Sequence, residues 1–398
     1  SLLTARNLQA LDDDKDGRTD EDGPDDLDGN QALAYMRVAS GEGEFVEHPA
    51  DRRILVPFKP TVHPSDARRF KVLSEGTDND KDGLFNEDGP GGVNLNRHFT
   101  FAYPWFKPDA GLSPMYSPEA AALAEFLFAR YNVAAVLIYG PDDNMLEPWK
   151  GAEKPKPGAI VSAPTHKDAA VYKTFSDIYK RIVKPVKGEE YDTLPPAGDL
   201  ARWCYYHYGR WSFAVNAWKF VFDKNLEKED FAYKLVKWAE SLGYTDYVVP
   251  FERVAHPDFP DKTVETGGIS PVYLYNPPYS ALDTLSKKQE AFALTLLGSL
   301  PKLEAAEENR KTLTPGTSEY TLVVRNAGKL PLHPEISENF QYLKLPSFRW
   351  EGTNLNFGAG TRRGTFRALA AGENEKLRWI TTGKGLAKIK VGCPQGGF

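Results

Sequence analysis

Two acidic stretches of nearly the same pattern constrain this chain more than any other feature: D-D-D-K-D-G-R-T-D-E-D-G-P over residues 12–24 and D-N-D-K-D-G-L-F-N-E-D-G-P over residues 78–90. Carboxylates crowded this closely repel one another unless a cation sits among them. Oxygen donors at alternate positions, followed by a glycine that permits a sharp turn, are what a hard cation such as calcium takes in a D-x-D-x-D-G loop. In the first copy Asp12, Asp14, Asp16 and Asp20 fall at loop positions one, three, five and nine, and Arg18 is placed to offer its backbone carbonyl. In the second copy Asp78, Asp80, Asp82 and Asn86 hold those positions, with Leu84 in the carbonyl role. Glycine, as Gly23 or Gly89, stands where a full loop of this kind ends in Glu, so Asp22 and Asp88, one residue earlier, are the expected last carboxylates. Asp25, Asp26 and Asp28 either extend the first site or form a solvated acidic run. Calcium loops without a helical frame bind at the weak, roughly millimolar end of the range. The expectation is an extracytoplasmic protein, periplasmic or secreted.

Composition narrows the function classes. A formal charge of -6 supplies no basic field for nucleic acid or anionic lipid. No apolar run approaches the ~18 to 20 residues of a membrane span. No signal peptide is visible, and a chain that opens on Ser1 rather than Met reads as a processed or truncated product. Cys204 and Cys393 are open to pairing with each other or to burial as free thiols.

Periodicity places the elements coarsely. Residues 35–47 alternate as a strand, and residues 118–131, 168–183, 230–242 and 287–300 carry apolar stripes at helical spacing. The continuous β-branched run at 133–138 predicts a buried parallel strand. Residues 150–158 are a Lys/Pro linker. Composition shifts near residue 305, and residues 307–315 are a short polar boundary. Beyond it, alternating runs at 320–324, 340–345, 365–368, 377–381 and 387–391 predict a small β-sandwich.

The most informative short motif is G-G-V-N-L-N-R-H-F over residues 91–99. A guanidinium fork beside a side-chain amide suits a carboxylate, so Asn96 and Arg97 are candidate substrate contacts. The motif resembles the G-V-D-L-N-R-N-F signature of the zinc metallocarboxypeptidases of the carboxypeptidase A type, whose Asn-Arg pair grips a peptide C-terminus. Four later stretches fit the same resemblance in order: 113–127, 133–148, 203–218 (W-C-Y-Y-H-Y-G-R-W-S-F-A-V-N-A-W) and 256–268. The resemblance implies an α/β fold, a mixed but mostly parallel central sheet flanked by helices, with an N-terminal part expected before Ser1. It also implies a C-terminal docking module. Its substrate-bonding tyrosine is matched by Tyr191, three residues farther from Trp203 than the pattern asks.

The same resemblance implies that the catalyst is gone. The family binds zinc through an H-x-x-E pair, absent from this chain and expected upstream of it, and through a distant His whose position here is Tyr139. The general-base Glu falls on Asn216, at the end of the 203–218 stretch read as a strand. An amide has no carboxylate with which to take a proton from water. Asp142, Asp143 and Glu147, with no His nearby, read as a polar loop, and His98, His166, His207 and His256 as structural.

Two domains are therefore expected: residues 1–306, carboxypeptidase-like with two calcium loops, and residues 307–398, a β-sandwich. The function implied is that of a catalytically inactive, calcium-stabilised pseudoenzyme, with zinc not expected. It would act in binding or as a subunit of an extracytoplasmic assembly, its partners being other protein subunits or a protein or peptide C-terminus. The alternative is an active metallocarboxypeptidase whose H-x-x-E segment sits on a separate upstream chain.

Overall fold

The computed structural model describes residues 17–19, 22–23, 25–30, 33–83, 85–86, 94–107, 110–152, 161–184, 197–218, 231–270, 276–352, 354–383 and 388–397. Along the chain run β1 (Tyr35–Ala39), β2 (Phe45–His48), β3 (Asp51–Pro57) and β4 (Arg69–Ser74), then α1 (Pro118–Phe128), β5 (Ala135–Tyr139), α2 (His166–Val183), α3 (Leu200–Tyr206) and β6 (Trp211–Val215). They are followed by α4 (Phe231–Ser241), β7 (Val248–Val254), β8 (Val264–Ile269) and α5 (Tyr279–Leu297). The C-terminal part holds β9 (Leu303–Thr314), β10 (Thr317–Asn326), β11 (Ser347–Glu351), β12 (Asn356–Ala359), β13 (Arg363–Thr365), β14 (Asn374–Thr382) and β15 (Lys388–Gly392). Two compact units result, one from Ser1–Val93, Val186–Glu190 and Trp218–Leu285, the other from Asn94–Pro185, Tyr191–Ala217 and Ser286–Phe398.

The α/β architecture expected from the sequence is not what the chain builds. Among the described residues fifteen strands lie in four sheets, and only β5 and β6 pair as parallel strands. The reason lies in the connections. Parallel neighbours need a crossover of a dozen or more residues, whereas tight turns permit only antiparallel pairing. The run at 35–47, expected as one strand, breaks at residues 40–44 into β1 and β2, and β3 follows β2 across residues 49–50.

In the first unit six antiparallel strands pair in the order β3-β2-β4-β1-β8-β7. The sheet curls into a half-barrel that brings β3, at one end, against β7 and β8 at the other. Helix α4 covers the junction through Ala232 and Val236, which pack on Ile54, Val248 and Ile269. The outer face buries Met36, Val38 and Val264 beneath Leu73, Phe85, Val254 and Phe259. The inner face holds Arg37, 5% exposed, whose Nε donates to Glu265 at 2.8 Å while an Nη meets Glu47 at 3.1 Å. Its guanidinium stacks 4.5 Å from the Phe70 ring and 3.9 Å from the Phe251 ring. Gly43 lets β2 close on β4, because a Cβ there would stand 2.4 Å from the Phe70 backbone. Gly43→Ala is therefore expected to cost roughly 1–3 kcal/mol, read as a lowered denaturant midpoint; an unchanged midpoint would refute the close approach.

In the second unit the parallel pair β5 and β6 is covered on both faces. Ala120, Ala124 and Leu127 of α1, with Trp203 and Cys204 of α3, pack on Val136 and Ile138. Tyr172, Phe175 and Tyr179 of α2, with Phe292 and Leu296 of α5, pack on Leu137 and Phe213. Helix α1 starts as its residues direct, with Pro118 in the first turn and the Ser117 hydroxyl accepting from Ala120 N at 3.2 Å. The stretch 203–218, expected as one strand, is instead α3 followed by β6, because Asp199 caps a helix ahead of Trp203. Both cysteines are buried free thiols.

The C-terminal strands form two sheets, β12-β14-β10-β9 and β13-β11-β15. Leu322, Val324, Trp350, Leu377 and Trp379 make their common core, where Trp350 meets Trp379 edge-on with ring centroids 5.3 Å apart. The polar stretch expected as a boundary lies inside β9, an edge strand exposed along nearly all its length. The run at 340–345, expected as a strand, follows a 3-10 turn at Glu335–Asn339 and forms none.

Candidate functional site

The second acidic loop is fully legible from residue 76 to 83. Lys81 and Gly83 take the left-handed backbone conformation, at φ 71° and 96°, that lets the chain fold back on itself. Asp78, Asp80 and Asp82 thereby present carboxylate oxygens that all lie within 4.8 Å of one another. Asp80 accepts from the backbone of Asp82 at 3.1 Å, and Asp78 Oδ2 from Gly83 N at 3.0 Å. The other oxygen of Asp78 is buried and accepts no hydrogen bond among the described residues. Asn86, expected as a ligand at position nine, turns its amide to the Glu75 carbonyl at 2.6 Å.

Asp22, expected to complete the first loop, crosses to the second. It is fully buried, accepts from the Asn79 side chain at 3.0 Å and from Asn86 N at 2.8 Å, and so splints the second loop with a carboxylate from the first. Asp12, Asp14, Asp16 and Asp20, with Leu84, Asp88 and Tyr191, lie outside the described residues. Arg18 is described and exposed.

A further acidic group was only half visible in the sequence. Asp26 and Asp28 converge with Glu75, again with oxygens within 4.8 Å of one another. Glu75 is buried and accepts from Leu27 N at 3.0 Å and Ala34 N at 2.8 Å. Burial, and to a lesser degree Asp28 and Asp26 beside it, raises its carboxyl above the usual range. Asp25 moves the other way, lowered chiefly by the Thr77 hydroxyl it accepts from. Glu75 has one sequence signal, its position just ahead of the G-T-D that opens the second loop. These groups fit a hard cation: oxygen donors only, converging, with one acid held against its neighbours' charge.

Of the residues expected at a carboxypeptidase-like centre, Asn96 and Asn216 reach the loop after β5, at the carboxyl ends of β5 and β6 in the second unit. Asn96 donates Nδ2 to Asp142 at 2.8 Å and accepts from Leu200 N at 3.0 Å, so its amide clips the loop after β5 to the start of α3. Gly198, at φ 82°, packs against the Arg97 carbonyl, which a Cβ would meet at 2.4 Å. Asp143 accepts from Met145 N, Leu146 N and Asn216 N at 2.9, 2.7 and 3.3 Å. Asn144 donates to Ser212 O and accepts from Ala214 N, both at 2.9 Å, while its own N–H reaches Ala214 O at 3.0 Å. The Tyr172 hydroxyl takes Ser212 N at 3.2 Å. One whole edge of β6 is thus paired with side chains and a single backbone amide. Tyr139 is exposed, its hydroxyl 3.5 Å from the Gln289 carbonyl. Asp199, the α3 cap, accepts from Arg202 N at 2.7 Å; burial pushes its carboxyl up to about 7, with Asp142 adding.

Residues 302–398 match a family described as a domain of unknown function, DUF8731. No curated protein matches the chain. The matched stretch contains β9 to β15 and none of the candidate site residues.

Four histidines expected as structural have ordinary surroundings where partners are seen. His98 accepts from Ser117 N at 3.2 Å, His207 meets Thr100 at 2.6 Å, and His256 meets the Gly76 carbonyl at 2.8 Å. His166 opens α2. No helix among the described residues is long and apolar enough to cross a membrane.

Proposed function

We propose that this chain is a non-catalytic protein whose acidic loops hold calcium, and that it serves in binding or assembly outside the cytoplasm. The observation that carries the calcium reading is the convergence of Asp26, Asp28 and buried Glu75, beside a second convergence at Asp78, Asp80 and Asp82. Carboxylates this close destabilise the fold unless a cation offsets their repulsion. Asp26, Asp28 and Glu75 would hold one ion and Asp78, Asp80 and Asp82 another, each supplying charge neutralisation and loop order.

The non-catalytic reading is supported by how the polar groups at the end of β5 and β6 are spent. Asn96 gives its amide to Asp142, and Asn216 donates to Asp143 and, at 3.5 Å, to the Pro141 carbonyl. An amide at 216 offers no general base. Partners under this reading are other protein subunits, or a peptide C-terminus at Arg97 once Asn96 is released from Asp142.

Purified protein should carry calcium, and a calcium-specific chelator should lower its melting midpoint by roughly 5–10 °C, the shift expected for a site saturated about a hundredfold. Glu75→Gln should shrink that difference. A midpoint indifferent to chelator would end the calcium reading. Stoichiometric zinc together with release of C-terminal residues from a peptide would end the non-catalytic one.

A further inference from the structure

Each of the six strands of the half-barrel contributes to the lining of a cavity on its inner face: Tyr35 from β1, Phe45 from β2, Leu55 with Arg53 and Ile54 from β3, Val72 from β4, Phe251 from β7 and Ile269 from β8. The space is about 160 Å³, and Ala232 of α4 borders it. From this geometry we infer that the inside of the half-barrel binds a small neutral apolar group the size of one ring, aromatic or branched aliphatic.

Size is the first argument. An apolar protein cavity of about 150 Å³ accepts benzene, and this one, open to solvent on one side, is matched by volume to a phenyl or isobutyl group and is too small for a fused-ring cofactor. Charge is the second. The cation that reaches the lining is Arg53, and its fork is taken by Asp51 at 2.5 Å and Glu240 at 2.6 Å. Arg37, behind the Phe251 ring, is held by Glu47 and Glu265. With both guanidinium groups neutralised by two carboxylates each, an anionic guest gains little and a cationic guest meets no unpaired acid. Shape is the third. Gly268, at φ 90°, faces the cavity, and a Cβ there would press on the Phe251 ring at 3.1 Å, so the bare backbone keeps that ring in place as one wall.

The guest could be a free small molecule or the side chain of a peptide, and the test separates them. With the full chain, melting is followed against toluene, N-acetylphenylalanine amide and benzoate. Toluene should raise the midpoint saturably, by about 3 °C at ten times its dissociation constant, and benzoate should not. A comparable rise with the amide assigns the site to a side chain; a rise with toluene alone assigns it to a free molecule. Val72→Phe, which fills the cavity from β4, should abolish the response, and Ala232→Leu, which fills it from α4, should do the same should Val72→Phe fail to fold. The inference is overturned by no saturable rise with toluene, or by a rise that survives a folded filling variant. It stands apart from the acidic loops, so neither result depends on calcium.

Discussion

Arg37→Ala should destabilise the first unit by about 3–5 kcal/mol, the cost of stripping one partner from a buried ion pair. The side chain touches every strand of the half-barrel. It starts on β1, pairs with Glu265 of β8 and Glu47 of β2, reaches the Arg52 carbonyl of β3 at 3.5 Å, and lies between the rings of Phe70 on β4 and Phe251 on β7. Without it two carboxylates, each less than a fifth exposed, lose their buried counter-charge, Glu47 keeping only the exposed Arg52 at 2.8 Å and Glu265 only Arg68 at 3.4 Å. Arg37→Lys should recover little, since an ammonium cannot serve two acids and two ring faces at once. Arg37→Met combined with Glu47→Gln and Glu265→Gln should recover much more, because a neutral interior removes the unpaired charge. Denaturant midpoints decide the matter; a loss under about 1 kcal/mol for Arg37→Ala would show that the arginine is not what ties the strands.

Asp199→Asn should stabilise the chain at neutral and alkaline pH and change the shape of its pH profile. Burial, with Asp142 adding, raises the Asp199 carboxyl to about 7 from an unfolded value of 3.8. Between those limits the folded chain keeps a proton that the unfolded chain has lost. Stability contributed by this group is therefore full below about 4, falls as pH rises toward 7, and is gone above it. The whole span is on the order of 4 kcal/mol. Asparagine caps a helix as well as aspartate does, so the variant keeps the bond to Arg202 N and loses the slope. Parent and variant profiles that run parallel from pH 4 to 8 would contradict the assignment. The effect belongs to Asp199 alone only while Asp142 remains held by Asn96, so Asn96→Ala should alter the same window.

What the sequence disclosed and what it hid follow from which forces are local. The duplicated D-x-D-x-D-G pattern fixed the left-handed turn at Gly83 and the convergence of Asp78, Asp80 and Asp82, because those depend on spacing within a few residues. Glu75 escaped, since its role comes from meeting Asp26 and Asp28 across nearly fifty positions. Asp22 was assigned to its own loop and serves the other, a choice that no local pattern records. Arg37 sits in Y-M-R-V-A, where alternation reads it as facing water; only the curl of the sheet turns that face inward. The apolar run ending at Tyr139 does form a strand parallel to β6, yet a parallel pair is not a wide parallel sheet, and the short turns joining β1, β2 and β3 were the better guide to architecture. The C-terminal edge strand β9 was passed over as linker because its exposure leaves no hydrophobic alternation to see.

The side-chain lining along β6 has a bearing on how that pair of strands can be extended. Asn144 fills the place of a neighbouring strand's peptide group, with Tyr172 before it and Asp143 after it, so Ser212, Ala214 and the Asn216 N–H are already engaged on that side. Among the described residues the other edge of the pair, along Ala135–Tyr139, carries no strand, so the side-chain lining of β6 leaves β5 as the edge along which this small sheet can grow.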